Sequence, residues 1–198
     1  MPENPFYSAS REQYFTSMVS ITFKGKPLHT SGNGPEIGRT VPDFTLVNGD
    51  LGEVRLSEIE SPYVLLNVVP SLDTPVCAAS AREFDREAGR GSNSCTFLTI
   101  SRDLPFAQSR FVQREGLDHM LLLSDMRFTQ FAEDYGVLIN DGPLKGLCAR
   151  AVFLLGPADP LGRRSLLYRE MVREIAWEPD YAKVLEMLNA VSHSPAST

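Results

Sequence analysis

Apolar and polar residues alternate from Val19 onward. Val19, Ile21 and Phe23 are separated by Ser20, Thr22 and Lys24, the period of two that marks a strand. Gly25-Lys26 reads as the turn of a hairpin returning through Pro27 to Thr30. Residues 31–40 hold three glycines and a proline and predict a loop. Residues 44–47 predict a short strand, with Asn48-Gly49-Asp50 as the turn after it. Residues 63–69 (YVLLNVV) are apolar almost throughout, the pattern of a central strand buried on both faces. Pro70 ends that strand, because proline has no N–H to give to a ladder.

Beyond Pro70 the period changes. Cys77, Ala81, Phe84 and Ala88 fall on one face of a helix. Residues 95–100 (CTFLTI) predict a strand, and residues 105–114 a helix with Pro105 in its first turn. A short buried strand at residues 120–123 precedes a helix face marked by Phe128, Phe131, Ala132 and Tyr135. Residues 149–155 and 165–172 predict two strands joined by a Gly- and Pro-rich loop. Tyr181, Val184, Leu185, Leu188 and Val191 mark a closing amphipathic helix. Residues 1–17 show no periodicity and are expected to be a mobile tail, and residues 192–198 a frayed one. Strands first alternate with helices, and a hairpin and a helix then close the chain. That order predicts one α/β domain over residues 18–191, a thioredoxin-like mixed sheet flanked by helices with an N-terminal β-hairpin.

Composition narrows the possible functions. The 198-residue chain is 42% apolar and 22% charged, which excludes a disordered or fibrous bulk. Its net charge of −6 lacks the cationic footprint of nucleic-acid binding, so no nucleic acid is expected as a partner. No membrane partner is expected either, since the apolar stretch around residues 63–70 is interrupted by Asn67 and a span needs ~20 residues. Residues 1–17 include Glu3, Arg11 and Glu12 and lack the apolar run of a secretory signal. The expectation is a cytoplasmic protein with three reduced cysteines, Cys77, Cys95 and Cys148. His29, His119 and His193 stand apart, without partners at ligand spacing, and no phosphate-binding glycine loop is present. Neither a metal nor a cofactor is therefore expected. Arg163-Arg164 reads as a solvated pair, and Phe106, Phe111, Phe128 and Phe131 as core.

The sharpest chemistry lies where the central strand gives way to a helix. With Thr74 as N-cap and Pro75 as the first helical residue, Cys77 takes the third position. There the Thr74 hydroxyl is placed to accept from the Cys77 N–H, and the sulfur meets the positive end of the helix dipole. That setting favours thiolate, the species that attacks a disulfide or an O–O bond. The plainer alternative is a buried structural cysteine. A disulfide oxidoreductase would carry a cysteine at position 74, and Thr74 removes that dithiol. A peroxidase needs only one thiolate and donors that polarise the peroxide.

The segment Pro70-Ser71-Leu72-Asp73-Thr74-Pro75-Val76-Cys77 resembles the peroxiredoxin signature P-x-x-x-T-x-x-C. DLPFAQSRF at residues 103–111, DGPLKGL at 141–147, ARAV at 149–152 and EPDY at 178–181 resemble its bacterial thiol peroxidase branch, the atypical two-cysteine peroxiredoxins. The resemblance runs from about Val19 to Val191. It implies that Cys77 is the peroxidatic cysteine and becomes a sulfenic acid. It further implies that Thr74 positions peroxide and thiolate, that Pro70 shields the thiolate from water, and that Arg150 stands beside the sulfur. A guanidinium there favours the charged thiol and stabilises charge growing on the leaving oxygen. The implied substrates are hydrogen peroxide and small organic hydroperoxides. The implied partners are a second copy of the chain, in a homodimer whose faces near the active site would take some of Phe106, Phe111, Phe128 and Phe131, and an external thiol such as thioredoxin, glutaredoxin or glutathione. In this branch the chain begins near the Val19 strand, so residues 1–17 are expected to be dispensable.

The chain departs from the branch at one position. The resolving cysteine usually follows Ser-Arg-Phe, and here Ser109-Arg110-Phe111 is followed by Val112. Three routes remain open. Cys77 works alone, and an external thiol reduces it. Cys148 resolves, since it stands two residues before Arg150 and shares its face if the strand includes both. Or Cys95 resolves, although it opens a predicted buried strand. The alternative to an enzyme is a non-enzymatic peroxide sensor or interaction module on the same fold.

Overall fold

The computed structural model describes residues 18–91 and 94–192. The tail expected at residues 1–17 and residues 193–198 of the expected frayed end lie outside them. Ser192 is the last residue of the closing helix.

The described strands form two sheets. β1 (Ser20–Phe23) and β2 (Lys26–His29) make the small N-terminal hairpin. Phe23 pairs with Lys26, so the turn is Lys24-Gly25, one residue earlier than predicted. Both turn residues have positive φ, 53° and 74°, as a two-residue type I′ turn requires. The larger sheet joins β3 (Thr45–Val47), β4 (Glu53–Arg55), β5 (Tyr63–Val68), β6 (Cys95–Ser101), β7 (Leu121–Ser124), β8 (Ala151–Leu155) and β9 (Leu166–Met171). Their spatial order is β4-β3-β7-β6-β5-β8-β9. β5, β6 and β7 run parallel at the centre, and the flanking strands pair antiparallel on both sides. The pattern did not predict β4, because three residues are too few to display a period.

The helices are α1 (Pro75–Arg90), α2 (Pro105–Glu115), α3 (Gln130–Asp134) and α4 (Tyr181–Ser192). α3 is shorter than its predicted face. Its N-cap Thr129 lies at φ 52°, so the helix cannot extend back to Phe128. Strand alternation sends Val64, Leu66 and Val68 of β5 to one apolar cluster and Leu65 to the other. The first cluster takes in Ile21 and Leu28 of the hairpin and Phe131 of α3. The second takes in Phe84 of α1, Phe111 of α2 and Val184 and Leu188 of α4. Asn67, the polar residue within β5, is fully buried. It donates to Thr99 Oγ1 at 2.9 Å and accepts from Ser80 Oγ at 2.8 Å, tying α1 to the sheet.

Two expectations need correction. Arg164 is not solvated: it is 2% exposed. Its guanidinium donates to the carbonyls of Ile59, Ser61, Pro62 and Gly156, which converge at the entry to β5. Arg163 remains exposed and pairs with Asp159. Of the four phenylalanines read as core, Phe111 and Phe131 are buried, while Phe106 is 56% and Phe128 38% exposed. Phe106 sits in the first turn of α2 off the face that buries Gln108 and Phe111, and Phe128 precedes α3.

Candidate active site

β5 delivers the chain to the site. Val69 N–H still donates to Ile100 O of β6 at 2.9 Å. Pro70 is buried and breaks the ladder. Thr74 then takes extended geometry at the N-cap of α1, with Pro75 at the first helical position. Cys77 Sγ is fully buried in the first turn, on the face that packs against the sheet.

The cap differs from the expected one. Thr74 Oγ1 makes no capping bond to the helix. It donates to Ser71 O at 3.0 Å, and Thr74 N–H donates to the same carbonyl at 3.1 Å. A carbonyl lies within reach of the hydroxyl proton, so the loop closes on itself. The Thr74 lone pairs stay available to accept from a ligand.

Arg150 reaches Cys77 across 73 positions of sequence. β8 pairs with β5 so that Ala151 stands opposite Val68, which places residue 150 beside the start of the Pro70 loop. Arg150 Nη2 donates to Cys77 Sγ at 3.3 Å, and Nε donates to Ile175 O at 3.1 Å. Nη1 is buried without a hydrogen-bond partner among the described residues. Arg150 is itself 1% exposed, so its charge acts on the sulfur with little screening. Nη1 offers a further donor beside the Nη2–Sγ contact.

The other two thiols lie elsewhere. Cys148 packs in the cluster on the opposite face of the sheet from Cys77. β8 begins only at Ala151, and Cys148 bridges Leu138 outside it. The alternation that was expected to put Cys148 on Arg150's face therefore does not hold. Burial, reinforced by the charge of Asp125, pushes the Cys148 thiol well above its ordinary range. Cys95 pairs with Tyr63 at the far end of β5, about 20 Å from Val69 at roughly 3.3 Å per residue. Burial pushes the Cys95 thiol up to about 12. Val112, where the branch has its resolving cysteine, is partly buried against the same cluster as Cys77.

Sequence reasoning missed several supporting groups. Asp103 lies inside a motif that was read only for resemblance, yet its carboxylate binds Ser71 and Leu72 of the loop. An aspartate two residues before a helix-opening proline is a turn signal, and it marks Asp103. Ile175 contributes only a carbonyl, and Glu174 anchors the hairpin turn from 150 positions away; no local pattern encodes either contact.

Residues 36–185 match the Redoxin family. The chain is similar to thiol peroxidases of Mycobacterium bovis and Mycobacterium tuberculosis, 45% identical over 173 residues, 87% of this chain and 100% of theirs. Among solved structures, a peroxiredoxin-like protein from Aquifex aeolicus superposes with a TM-score of 0.79 at 33% identity, covering 89% of this chain and 99% of that one. A thiol peroxidase from Chromobacterium violaceum superposes with a TM-score of 0.76 at 24% identity, covering 87% of this chain and 97% of that one, a likeness of fold.

Proposed function

The chain belongs to the Redoxin family, on its thiol peroxidase branch, and catalyses thiol-dependent peroxide reduction, and on that premise we propose that Cys77 is its nucleophile. The observation that carries this reading is the buried Arg150–Cys77 contact at 3.3 Å. The Cys77 thiolate attacks one oxygen of the peroxide, forming S–O as O–O breaks. The departing oxygen leaves as hydroxide or alkoxide and takes a proton to become water or alcohol. Arg150 Nη1 and Nη2 stabilise that developing charge. Thr74 Oγ1, its own proton held by Ser71 O, accepts from the peroxide O–H and orients it. Pro70 covers the sulfur from water. Substrates on this reading are hydrogen peroxide and small organic hydroperoxides.

The sulfenic acid is resolved by an external thiol. The opposite face of Cys148 and the distant strand end of Cys95 support this route over an internal disulfide. One thiol condenses with Cys77-SOH to release water and leave a mixed disulfide. A second thiol attacks that disulfide, restores the Cys77 thiolate and departs oxidised. Thioredoxin, glutaredoxin and glutathione are reductants of the right chemistry in a cytoplasmic setting. A homodimer is supported by exposed Leu104, Phe106, Met126 and Phe128. The likeness to thiol peroxidases does not favour the non-enzymatic sensor.

Intact mass tests the cysteine assignments. Wild type and Cys148→Ser are each oxidised with one equivalent of peroxide in the presence of a sulfenic-acid trap. The expected result is one adduct on Cys77 in both proteins. A wild-type internal disulfide that disappears in Cys148→Ser would overturn the single-cysteine route. Peroxidase activity that survives Cys77→Ser would overturn the nucleophile.

A further inference from the structure

The loop carrying Pro70 and Thr74 is held from outside by one carboxylate. β6 runs parallel to β5, so the residues just past its end lie beside the Pro70 loop. Asp103 stands there. Its Oδ1 accepts from the Ser71 hydroxyl at 2.7 Å, and its Oδ2 from the Leu72 N–H at 2.7 Å. The carboxylate is fixed in turn. Ser101 Oγ donates to Oδ2 at 2.9 Å and accepts from Gln108 Nε2 at 3.1 Å. Gln108 Nε2 also bonds Leu123 O at 3.0 Å, and Ser124 Oγ donates to the Asp103 carbonyl at 2.6 Å. Ser71 is thereby gripped at both ends, its hydroxyl by Asp103 and its carbonyl by the Thr74 N–H and hydroxyl.

We propose that Asp103 is a positioning residue for peroxide reduction, setting the place of the Thr74 hydroxyl through Ser71. The inference rests on Cys77 being the nucleophile. Among the described residues Asp103 makes no hydrogen bond to Cys77 or Arg150, whose pairing comes from the β5–β8 register instead. Its effect should therefore appear in reaction with peroxide, which needs the loop, and not in reaction with an alkylating agent, which needs only the thiolate.

The test compares second-order rates of Cys77 with hydrogen peroxide and with iodoacetamide in wild type, Asp103→Asn, Thr74→Val and the double variant. Asp103→Asn is expected to slow peroxide by about 10- to 100-fold, the scale of a small misplacement of a reacting group, and to leave alkylation within about threefold. In the Thr74→Val background the same change is expected to cost less than about threefold, because it acts through a group already removed. An unchanged peroxide-to-iodoacetamide ratio, or a full loss repeated without the Thr74 hydroxyl, overturns the proposal. If Asp103→Asn does not fold, Ser71→Ala serves in its place, since it removes the Oδ1 bond and keeps the Leu72 N–H bond. Peroxidase activity persisting in Cys77→Ser would instead sink the underlying reading.

Discussion

At the scale of single residues, buried charge decides the chemistry. Arg150 uses its planar fork to hold Ile175 O with Nε and Cys77 Sγ with Nη2. Arg150→Lys keeps the charge but cannot span both positions. Oxidation of Cys77 by peroxide, followed by stopped flow, is expected to slow by about 100-fold, the usual effect of losing a donor to developing charge. A rate within threefold of wild type would contradict the role given to the fork. Asp125 is a second buried charge, fully enclosed, with Oδ1 unpartnered among the described residues. Burial pushes its carboxyl up to about 7, against the pull of the Arg102 charge and the Ala132 N–H bond. Its folded-state value lies above the unfolded one, so the folded protein binds this proton more tightly. The stability contributed is full below the unfolded value of about 4 and is lost as pH rises through about 7. Asp125→Asn is expected to raise stability at pH 8 by about 1–3 kcal/mol and to change it little at pH 4. Denaturant unfolding at both pH values checks this, and equal shifts at the two would refute it.

At the scale of elements, the N-terminal hairpin is fastened to the segment that follows β9 and holds Arg150. Glu174 accepts from the Thr22 hydroxyl at 2.8 Å and from the N–H groups of Lys24 and Gly25 at 3.1 Å. Ile175 N–H donates to Thr22 O at 2.9 Å, and the Ile175 carbonyl holds Arg150. The hairpin therefore stands two contacts from the guanidinium. Glu174→Ala leaves the N–H groups of Lys24 and Gly25 without their carboxylate acceptor and is expected to cost about 1–3 kcal/mol in denaturant unfolding. It should slow peroxide reduction less than Arg150→Lys does, because the Ile175 carbonyl loses only part of its support. A larger kinetic loss than in Arg150→Lys would contradict this order. Elements were largely legible in the sequence. The alternation at Val19–Phe23, the apolar run of β5 and the Thr74-Pro75 opening of α1 are local patterns, and local sterics and hydrogen bonding set them. β4 and the shortened α3 were not legible. β4 is held by pairing with β3 and α3 is limited by the backbone of Thr129.

At the scale of the whole molecule, the parallel strands gather their C-terminal ends on one side. Pro70 follows β5, Leu104 follows β6 and Met126 follows β7, so the site and the exposed apolar residues share one end of the sheet. If that end pairs two copies, Phe106→Asp should convert a dimer to monomer in sedimentation velocity. Protomer stability should hardly change, because Phe106 is 56% exposed in the single chain. A wild type that sediments as a monomer, or a variant that stays dimeric, would remove this face from the interface. The α/β order and the helix-opening position of Cys77 were legible from neighbouring residues alone, and the resemblance marked Val112 as the place of an absent cysteine. That Arg150 stands beside the sulfur was implied by the resemblance of the ARAV segment, and the two side chains are 3.3 Å apart. The place of Cys148 across the sheet from Cys77, the burial of Arg164 and the grip of Asp103 on Ser71 became visible in the folded chain. Those facts depend on strand order and register, which join segments 32 to 105 positions apart, a range at which no local period or cap carries information.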